Sequence, residues 1–289
     1  TETGEPLTRA ACRVARERGA TGALVEPDRL TLKQWHGLLE EASGIRCEPR
    51  EDLTGRMRQV KDAGEIAAIR RAIAIAEASV MTAMAEVRAG ITEAELAARI
   101  EYEFKRRGAR KPSFDTIVLF GARSSLPHGM PGDTRLEPDS VILVDCGCLA
   151  SHYCSDLTRT WFFGTLLPPW FREIYEVTHR AQAAAIAAIR GGACCQEVDA
   201  AARDVIRGAG YGQHFGHGTG HSLGLEIHEN PRLNLQDTSI LKPGMVVTVE
   251  PGIYLPGRGG VRIEDVVLVT ETGAEVLTSL PGDLQVIKP

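Results

Sequence analysis

The chain has 289 residues, of which 43% are hydrophobic and 25% charged, and its formal net charge at pH 7 is -5. Because basic residues are interspersed with acidic ones, no broad positive field is expected, which argues against nucleic acid as a partner. The longest apolar runs, such as residues 141–144 and 266–269, are far shorter than the roughly 18 residues that cross a bilayer, so no membrane association is expected.

The first residues and the cysteines bear on the cellular compartment. Residues 1–6 lack the basic, apolar and small-residue zones of a signal peptide, so a cytoplasmic location is expected. Seven cysteines is an odd number, and the close pairs 146/148 and 194/195 lack the two-residue gap of thiolate zinc sites. We therefore expect all seven to be reduced thiols.

Helical and extended patterns alternate over the first fifty residues. Residues 8–19 and 31–42 are predicted to be helical, and residues 23–26 and 45–48 to be extended. This alternation indicates a small α/β N-terminal domain, expected to be incomplete, at residues 1–55.

A larger domain is predicted over residues 56–289, and it begins with two helices. Asp62 is an N-cap candidate for one long helix over residues 65–89, and a capping-box pattern at residues 92–95 predicts a second helix to about residue 107. Further helices are predicted at about 169–190 and 196–209, and strands at 116–120, 141–146, 157–163, 246–250 and 261–269.

The larger domain contains an internal repeat. Residues 136–145 (LEPDSVILVD) share every apolar anchor with residues 241–250 (LKPGMVVTVE), and each copy ends on a carboxylate. Upstream of each copy a helix ends in a similar phrase, VRAG in one case and IRGG in the other. We infer two duplicated halves related by a pseudo-two-fold axis, with a sheet covered by helices.

Four carboxylates occupy repeated positions in these halves. Asp145 ends one predicted strand and Asp156 opens the next, and Glu250 and Glu264 repeat this arrangement. Hairpins can place such pairs side by side on one face, where buried carboxylates need cations to persist. Two divalent ions would supply four positive charges, and mixed carboxylate and imidazole ligands suit manganese, cobalt, iron or zinc. The alternative is that each acid is a solvated turn residue.

A glycine-rich segment at residues 216–228 (GHGTGHSLGLEIH) carries three histidines, His217, His221 and His228. It contains the G-x-S-x-G pattern of serine hydrolases around Ser222, but His228 is the only later histidine and leaves no room for an intervening acid. The proline in His228-Glu-Asn-Pro opposes the helix that an H-E-x-x-H zinc motif needs.

These motifs together resemble the pita-bread metallopeptidases, which include methionine aminopeptidase, aminopeptidase P and prolidase, with creatinase as a metal-free relative. The resemblance covers about residues 56–289. It rests on VDCG at 144–147, SDLTRT at 155–160, the three-histidine segment, VEPG at 249–252 and RIED at 262–265. The spacing of Glu250 and Glu264 is similar to that of prolidase and aminopeptidase P, whereas the shortness of residues 1–55 is the main departure.

The resemblance implies an α/β (α+β) pita-bread catalytic domain that binds two metal ions, with manganese expected first and cobalt, zinc or iron as alternatives. Carried over residue by residue, Asp145 would chelate one ion, His221 and Glu250 the other, and Asp156 and Glu264 would bridge both. The implied reaction is hydrolysis of the Xaa-Pro bond in dipeptides or at the N-terminus of peptides. A homodimer is also implied.

Further residues are expected to act on the substrate. His128 and His228 match family positions that donate to the tetrahedral oxyanion, and Glu250 is a candidate to carry a proton to the leaving proline nitrogen. His217 matches a position that lines the substrate pocket. Arg262 lies two residues before Glu264 on a predicted strand, so it should hold either a carboxylate that lies behind the metal ligands or the carboxylate end of the substrate.

Two other functions remain open at this point. A catalytically silent pita-bread module could bind peptides or proteins, although such modules usually lose metal ligands, and the chain could instead hydrolyse another small amide. No role is expected for the remaining histidines, and Arg159 is expected to pair with a neighbouring strand rather than with substrate. The histidines without a role are His36, His152, His179 and His214.

Overall fold

The computed structural model describes residues 4–289, and the chain divides into two compact units, Thr1–Met57 and Arg58–Pro289. The first unit contains α1 (Leu7–Glu17), β1 (Gly22–Val25), α2 (Leu32–Glu41) and β2 (Arg46–Pro49), and α3 (Leu53–Arg58) follows at the boundary. Strands β1 and β2 pair in parallel, and a small apolar cluster around Cys12, Leu38 and Ile45 packs beside them. The predicted alternation of helix and strand is confirmed.

The second unit begins with α4 (Ala63–Met84) and α5 (Glu93–Arg106), which start at the predicted N-cap Asp62 and at the predicted capping box of Thr92. Asp62 also forms a capping box, with Glu65. The prediction that the first helix runs to residue 89 was wrong in its last five residues. The chain leaves α4 through tight turns, and Gly90 N then donates to Leu136 O at 2.8 Å. This long-range contact, which helical periodicity does not report, draws the chain away from the helix axis.

The remaining elements of the second unit fall into two series, and α4 and α5 precede the first as α6 and α7 begin the second. The first series comprises β3 (Lys111–Pro112), β4 (Ile117–Phe120), β5 (Ser140–Cys146), β6 (Cys148–Ala150), β7 (Tyr153–Cys154) and β8 (Leu157–Phe163). The second comprises α6 (Pro169–Ala188), α7 (Cys195–Gly208), β9 (Gly220–Ser222), β10 (Glu229–Leu233), β11 (Val246–Val249), β12 (Gly252–Leu255), β13 (Gly259–Arg262), β14 (Asp265–Val269), β15 (Ala274–Val276) and β16 (Gln285–Ile287). The predicted strand at 261–269 is therefore two strands, interrupted at Ile263 and Glu264, and the one at 246–250 ends before Glu250.

The two halves repeat the same backbone contacts. Gly90 N donates to Leu136 O at 2.8 Å in the first half, and Gly192 N donates to Leu241 O at 2.9 Å in the second. Both acceptors begin the repeated Leu-x-Pro frames, and both donors are the final glycines of the VRAG and IRGG phrases that follow the preceding helices. The repeat in the sequence is thus a repeat in the structure.

Two sheets organise the second unit. One has the strand order β16-β8-β5-β4 and the other β10-β9-β11-β14-β15. Side chains from α4 and α5 pack in one core with the first sheet, including Phe104 and Phe120, and side chains from α6 and α7 pack in a second core with β11 and β14, including Phe171 and Val247. Each sheet therefore has one face covered by its own helix pair.

Strand register brings the acidic residues to matching ends of these sheets. In the antiparallel pair β5 and β8, Asp145 lies opposite Thr158, two residues after Asp156. In the antiparallel pair β11 and β14, Val249 lies opposite Asp265, so Glu250 and Glu264 flank the last paired position. The four carboxylates are thus carried by equivalent strand ends in the two halves.

Two expectations about the chain as a whole can be compared with the structure. All seven cysteines lie within residues 4–289, and each is a free thiol. Over the same residues, none of the helices combines the length and apolar character that a membrane span requires.

The capping box of α5 provides a test of local stability. Replacing Thr92 with Ala removes the hydroxyl that accepts from Glu95 N at 3.1 Å, and we expect the free energy of unfolding to fall by about 1 kcal/mol. Thr92→Ser retains the hydroxyl and serves as the matched control in urea denaturation. A Thr92→Ala variant as stable as the serine variant would contradict this role of the cap.

Candidate metal centre

All nine residues predicted to bind metal or act on the substrate line one cavity of about 290 Å³ in the second unit. They are Asp145, Asp156, His221, Glu250 and Glu264, together with His128, His217, His228 and Arg262. The structure therefore brings together residues that are spread over more than 130 positions of the chain. Their individual roles stay predictions.

The glycines next to the acidic and histidine residues allow the strands to approach closely. A Cβ atom on Gly147 would lie 1.8 Å from Ser155 O, and one on Gly220 would lie 2.0 Å from Thr248 O. Any other residue would push apart the turn that follows Asp145 or the strand that carries His221. Steric contacts therefore require glycine at these two positions of the motifs.

Three potential ligand atoms form the tightest group in the cavity. One atom each from Asp156, His221 and Glu264 lies within 4.8 Å of the other two. His221 Nε2 also lies 3.6 Å from Asp156 Oδ2 and 3.4 Å from Glu250 Oε1. Ligand atoms each about 2.1 Å from one ion lie roughly 3 to 4 Å apart, so these separations are near those of a coordination sphere.

The tautomer of His221 is set by its other ring nitrogen. Nδ1 lies 3.1 Å from Ser222 O, and since a carbonyl oxygen can only accept, Nδ1 carries the proton. Burial lowers the pKa of His221 to about 3, so the ring is neutral and Nε2 presents a lone pair to the cavity. This is the form in which imidazole binds a metal ion.

Without a cation, the ionised form of these carboxyl groups is unfavourable. Burial raises the pKa of Asp156 and of Glu264 well above the ordinary range, and the neighbouring carboxylates raise both further. Burial likewise raises the pKa of Glu250 to about 8, with Asp145 contributing in the same direction. The free energy of ionising these groups together is therefore high unless positive charge is added.

Asp145 shows most directly that a cation fits. Its Oδ2 accepts from the guanidinium of Arg262, whereas its buried Oδ1 has no hydrogen-bond partner among residues 4–289. A buried carboxylate oxygen without a donor is unfavourable, and a metal ion would satisfy it. Four carboxylates and one neutral imidazole thus form a donor set suited to divalent ions.

A directed chain of hydrogen bonds runs from Asp145 to His217. Arg262 can only donate, and its Nη1 lies 2.7 Å from the hydroxyl oxygen of Tyr254. That hydroxyl therefore directs its own proton to His217 Nε2 at 2.8 Å, while His217 Nδ1 donates to Gly218 O at 2.8 Å. Burial, reinforced by Arg262, lowers the pKa of His217 to about 4, which agrees with a neutral ring.

Arg262 was predicted to hold either a carboxylate behind the metal ligands or the carboxylate end of the substrate. The structure instead pairs its guanidinium with Asp145, itself a predicted metal ligand, and a direct contact with substrate stays a prediction. Tyr254, which joins Arg262 to His217, was missed by the sequence reasoning. Its position follows from the hairpin in the structure, in which β12 and β13 pair Gly252 with Arg262 and place Tyr254 two residues further along β12.

The two remaining histidines lie on different parts of the cavity wall. His128 is exposed on the loop that follows β4, and His228 packs its ring edge-to-face on His221 with 4.5 Å between centroids. Burial lowers the pKa of His228. Both rings line the same cavity as the four carboxylates. A side chain that donates a hydrogen bond to the substrate would have to lie there.

Other cavity residues were not anticipated. Phe114 and Ile117 supply apolar wall, and the exposed Arg232 supplies a positive charge at the rim. Arg159, which was expected to be structural, donates to Asp265 Oδ1 at 2.7 Å and does not line the cavity.

Comparison with known proteins places this centre in a family. The sequence profile of metallopeptidase family M24 matches residues 67–271, which is well over half of the chain. The chain belongs to this family. Membership confirms the predicted metallopeptidase class and the predicted need for divalent metal ions.

The relatives of this M24 chain include dipeptidases. It is 47% identical over 234 residues to the Xaa-Pro dipeptidase of Pyrococcus furiosus, covering 81% of this chain and 67% of the relative. It is 44% identical over 234 residues to that of Pyrococcus horikoshii, covering 81% of this chain and 66% of the relative. The chain therefore spans about two thirds of the length of these relatives.

Solved structures confirm the pita-bread fold. An X-Pro aminopeptidase from Thermotoga maritima superposes with a TM-score of 0.92 at 36% identity, covering 98% of this chain and 80% of that one. The prolidase from Pyrococcus furiosus superposes with a TM-score of 0.87 at 40% identity, covering 94% of this chain and 80% of that one.

The raised pKa of Glu250 predicts how the metal-free protein responds to pH. A carboxyl whose pKa rises from 4.5 to about 8 on folding contributes stability that is complete below pH 4.5 and lost as pH rises through about 8. The neutral histidines act oppositely, but this contribution is mostly complete by about pH 7, because their pKa in the unfolded chain is 6.5. From pH 7 to 8, the free energy of unfolding should therefore fall by about 1 kcal/mol.

Urea denaturation of chelator-treated protein measures this dependence. Added divalent metal should remove most of the decline, because bound cations displace the protons, and Glu250→Gln should weaken it. Stability of the metal-free protein that stays constant or increases over this interval would show that the carboxylates are not desolvated as described.

Proposed function

We propose that this M24 metallopeptidase hydrolyses the bond between an N-terminal residue and proline, in Xaa-Pro dipeptides or at the start of longer peptides. The carrying observation is the convergence of four carboxylates, three of them buried, and one neutral imidazole on a single cavity, which also holds further histidines. Selectivity for proline is taken from the relatives, which are Xaa-Pro dipeptidases.

The donor set supports the metal assignment implied by the resemblance. Asp145 would hold one ion, His221 and Glu250 the other, and Asp156 and Glu264 both. When bound, the ions would lower the pKa of a coordinated water and polarise the scissile carbonyl. We propose manganese as the native metal, because four of the five ligands are carboxylates, with cobalt, zinc and iron as alternatives.

The other residues would act on the substrate. Glu250 would carry a proton from the attacking water to the leaving proline nitrogen, as a carboxylate beside the reacting atoms can. His228 is neutral and keeps one N–H, so it can donate to the oxyanion, and His128 faces the same cavity from the opposite half. His217, with its proton fixed on Nδ1, would line the substrate pocket.

The rim of the cavity suggests how the ends of a dipeptide are recognised. Arg232 would bind the substrate's free carboxylate, since a guanidinium at the mouth of an acidic cavity offers a fork of donors. Phe114 and Ile117 would contact the apolar proline ring. These contacts favour a dipeptide over a longer peptide, whose carboxylate lies further away.

Quaternary structure and location are also part of the proposal. We propose that the enzyme is a homodimer, as the resemblance implies, and that it acts in the cytoplasm. A catalytically silent binding module is disfavoured, because the full set of metal-binding residue types faces one cavity.

Hydrolysis of Xaa-Pro dipeptides and Xaa-Pro-Yaa tripeptides tests the activity. The protein is freed of metal and reconstituted with manganese, cobalt or zinc, and release of the N-terminal residue is measured. We expect metal-dependent cleavage of dipeptides, and a loss of more than about a hundredfold in Asp156→Ala, because even residues behind a ligand are worth ten- to hundredfold. A folded, metal-loaded protein that cleaves neither series would rule out the proline assignment and favour another amide substrate or a binding role.

The role of Arg232 is tested with Xaa-Pro and the same dipeptide as its C-terminal amide. Wild-type kcat/KM should favour the free acid by about tenfold or more, as expected for a charge-assisted pair, and Arg232→Gln should abolish the preference. Arg207→Gln, which changes an exposed arginine paired with Asp204, is the matched control. Retention of the preference in Arg232→Gln would show that another residue binds the carboxylate.

A further inference from the structure

His128 reaches the cavity from a long loop rather than from a strand or helix. This segment, residues 121–132, is called here the His128 loop; it begins directly after Phe120, the last residue of β4. It starts with a short 3-10 turn at Gly121–Ser125, and the rest contains no helix or strand. A side chain on such a loop is held in place only by the contacts that fix the loop itself.

The carboxylate of Glu93 binds both ends of the His128 loop. Its Oε1 accepts from Phe120 N at 2.9 Å and its Oε2 accepts from Gly132 N at 2.9 Å. Glu93 is the first residue of α5 and is completely buried. One rigid side chain at the start of a helix thus closes the loop at its base.

Arg123 connects the same carboxylate to the far side of the loop. Its Nε lies 3.0 Å and 3.1 Å from the two oxygens of Glu93, and its Nη2 donates to Met130 O at 2.7 Å. The buried negative charge is therefore paired and fully hydrogen-bonded. Breaking such a pair on one side is far more disruptive than its net contribution to stability suggests, because it leaves an uncompensated buried group.

The second half contains an analogous arrangement behind its own cavity histidine. Asp199, on α7, is completely buried and accepts from Thr219 N at 3.0 Å and from Arg203 at 2.8 Å and 2.9 Å. Arg203 in turn donates to His217 O at 2.8 Å. In each half, the second helix therefore provides a buried carboxylate, and an arginine joins it to the loop that bears a cavity histidine.

We propose that Glu93 is a positioning residue that acts through His128: it fixes the His128 loop so that the imidazole is held at the reacting carbonyl. This inference rests on the proposed function, in which His128 contacts the substrate. Glu93 itself does not line the cavity. Its effect is on the geometry of a donor, where displacement of about 1 Å can cost up to a hundredfold in rate.

A double-mutant cycle between Glu93→Gln and His128→Ala tests the proposal on the metal-loaded enzyme with an Xaa-Pro dipeptide. Glutamine can accept from Phe120 N but cannot accept from both loop amides, so kcat should fall about tenfold or more while bound metal stays unchanged. In the His128→Ala background the same substitution should change kcat by less than about twofold, because the effects of residues acting through one another are not additive.

Glu103→Gln is the matched control. Glu103 lies on the same helix, is 8% exposed and pairs with Arg106 and Arg107 of its own helix end, so it should leave kcat unchanged in both backgrounds. Equal losses from Glu93→Gln in the two backgrounds would overturn the proposal. An inactive wild-type enzyme in this assay would instead count against the proposed function.

Hydrogen exchange provides a readout independent of activity. Peptides covering residues 120–132 should exchange at least about tenfold faster in Glu93→Gln than in wild type or Glu103→Gln. Unchanged exchange in these peptides would contradict the role of Glu93 in fixing the His128 loop.

If Glu93→Gln does not fold, Arg123→Met replaces it in the cycle, since it removes the link to Met130 and leaves the two amide contacts of Glu93. A severalfold loss of kcat that occurs only when His128 is present supports the proposal. An equal loss in the wild-type and His128→Ala backgrounds overturns it.

Discussion

The desolvation of acidic groups around one cavity is the constraint on which the rest of the catalytic unit depends. Asp156 and Glu264 are buried and Glu250 is largely buried, and desolvation together with repulsion from neighbouring carboxylates raises the pKa of each. Arg262 compensates Asp145 on one side, but the other oxygen of that carboxylate has no donor in the described part of the chain. Such a centre is unfavourable by itself and becomes favourable when divalent cations bind.

The surrounding fold supplies what this centre needs. Duplicated halves present equivalent strand ends, so that carboxylates from distant parts of the chain meet, and glycines allow those strands to approach closely. The hydrogen bonds of His221 and His217 fix neutral tautomers, which keeps positively charged imidazolium away from the place where metal ions would bind. Buried carboxylate and arginine pairs then hold the loops that bear His128 and His217. Buried charged groups therefore both form the proposed metal centre and fix the loops that carry its histidines.

Much of this could be predicted from the sequence because the signals are local or repeated. Capping boxes at Asp62 and Thr92 set two helix starts, and the repeated Leu-x-Pro frame located two strands together with the acids Asp145 and Glu250. The early end of α4 and the interruption at Glu264 could not be predicted in this way. Both depend on contacts with residues far away in the chain, Leu136 in the first case and Thr158 in the second.

The residues that sequence reasoning missed share this dependence on tertiary contacts. Glu93 was part of a capping-box stretch, and nothing nearby indicates that its carboxylate reaches Gly132, 39 residues later. Tyr254 gains its role only when the β12–β13 hairpin places its hydroxyl between Arg262 and His217. Arg232 resembles any exposed strand residue until the cavity beside it is known. Residue type and spacing identified the groups with unusual chemistry, whereas the groups that orient them required the structure.

The most direct test of this account is the number of divalent ions bound per folded chain. Metal-free protein would be loaded with excess manganese, desalted and analysed for metal and protein content, with folding checked by circular dichroism. The account predicts two ions per chain, and fewer when Asp156 and Glu264 are replaced by Asn and Gln. A folded chain that retains no metal would contradict it, because the buried carboxylates would then have to be stabilised by protons alone.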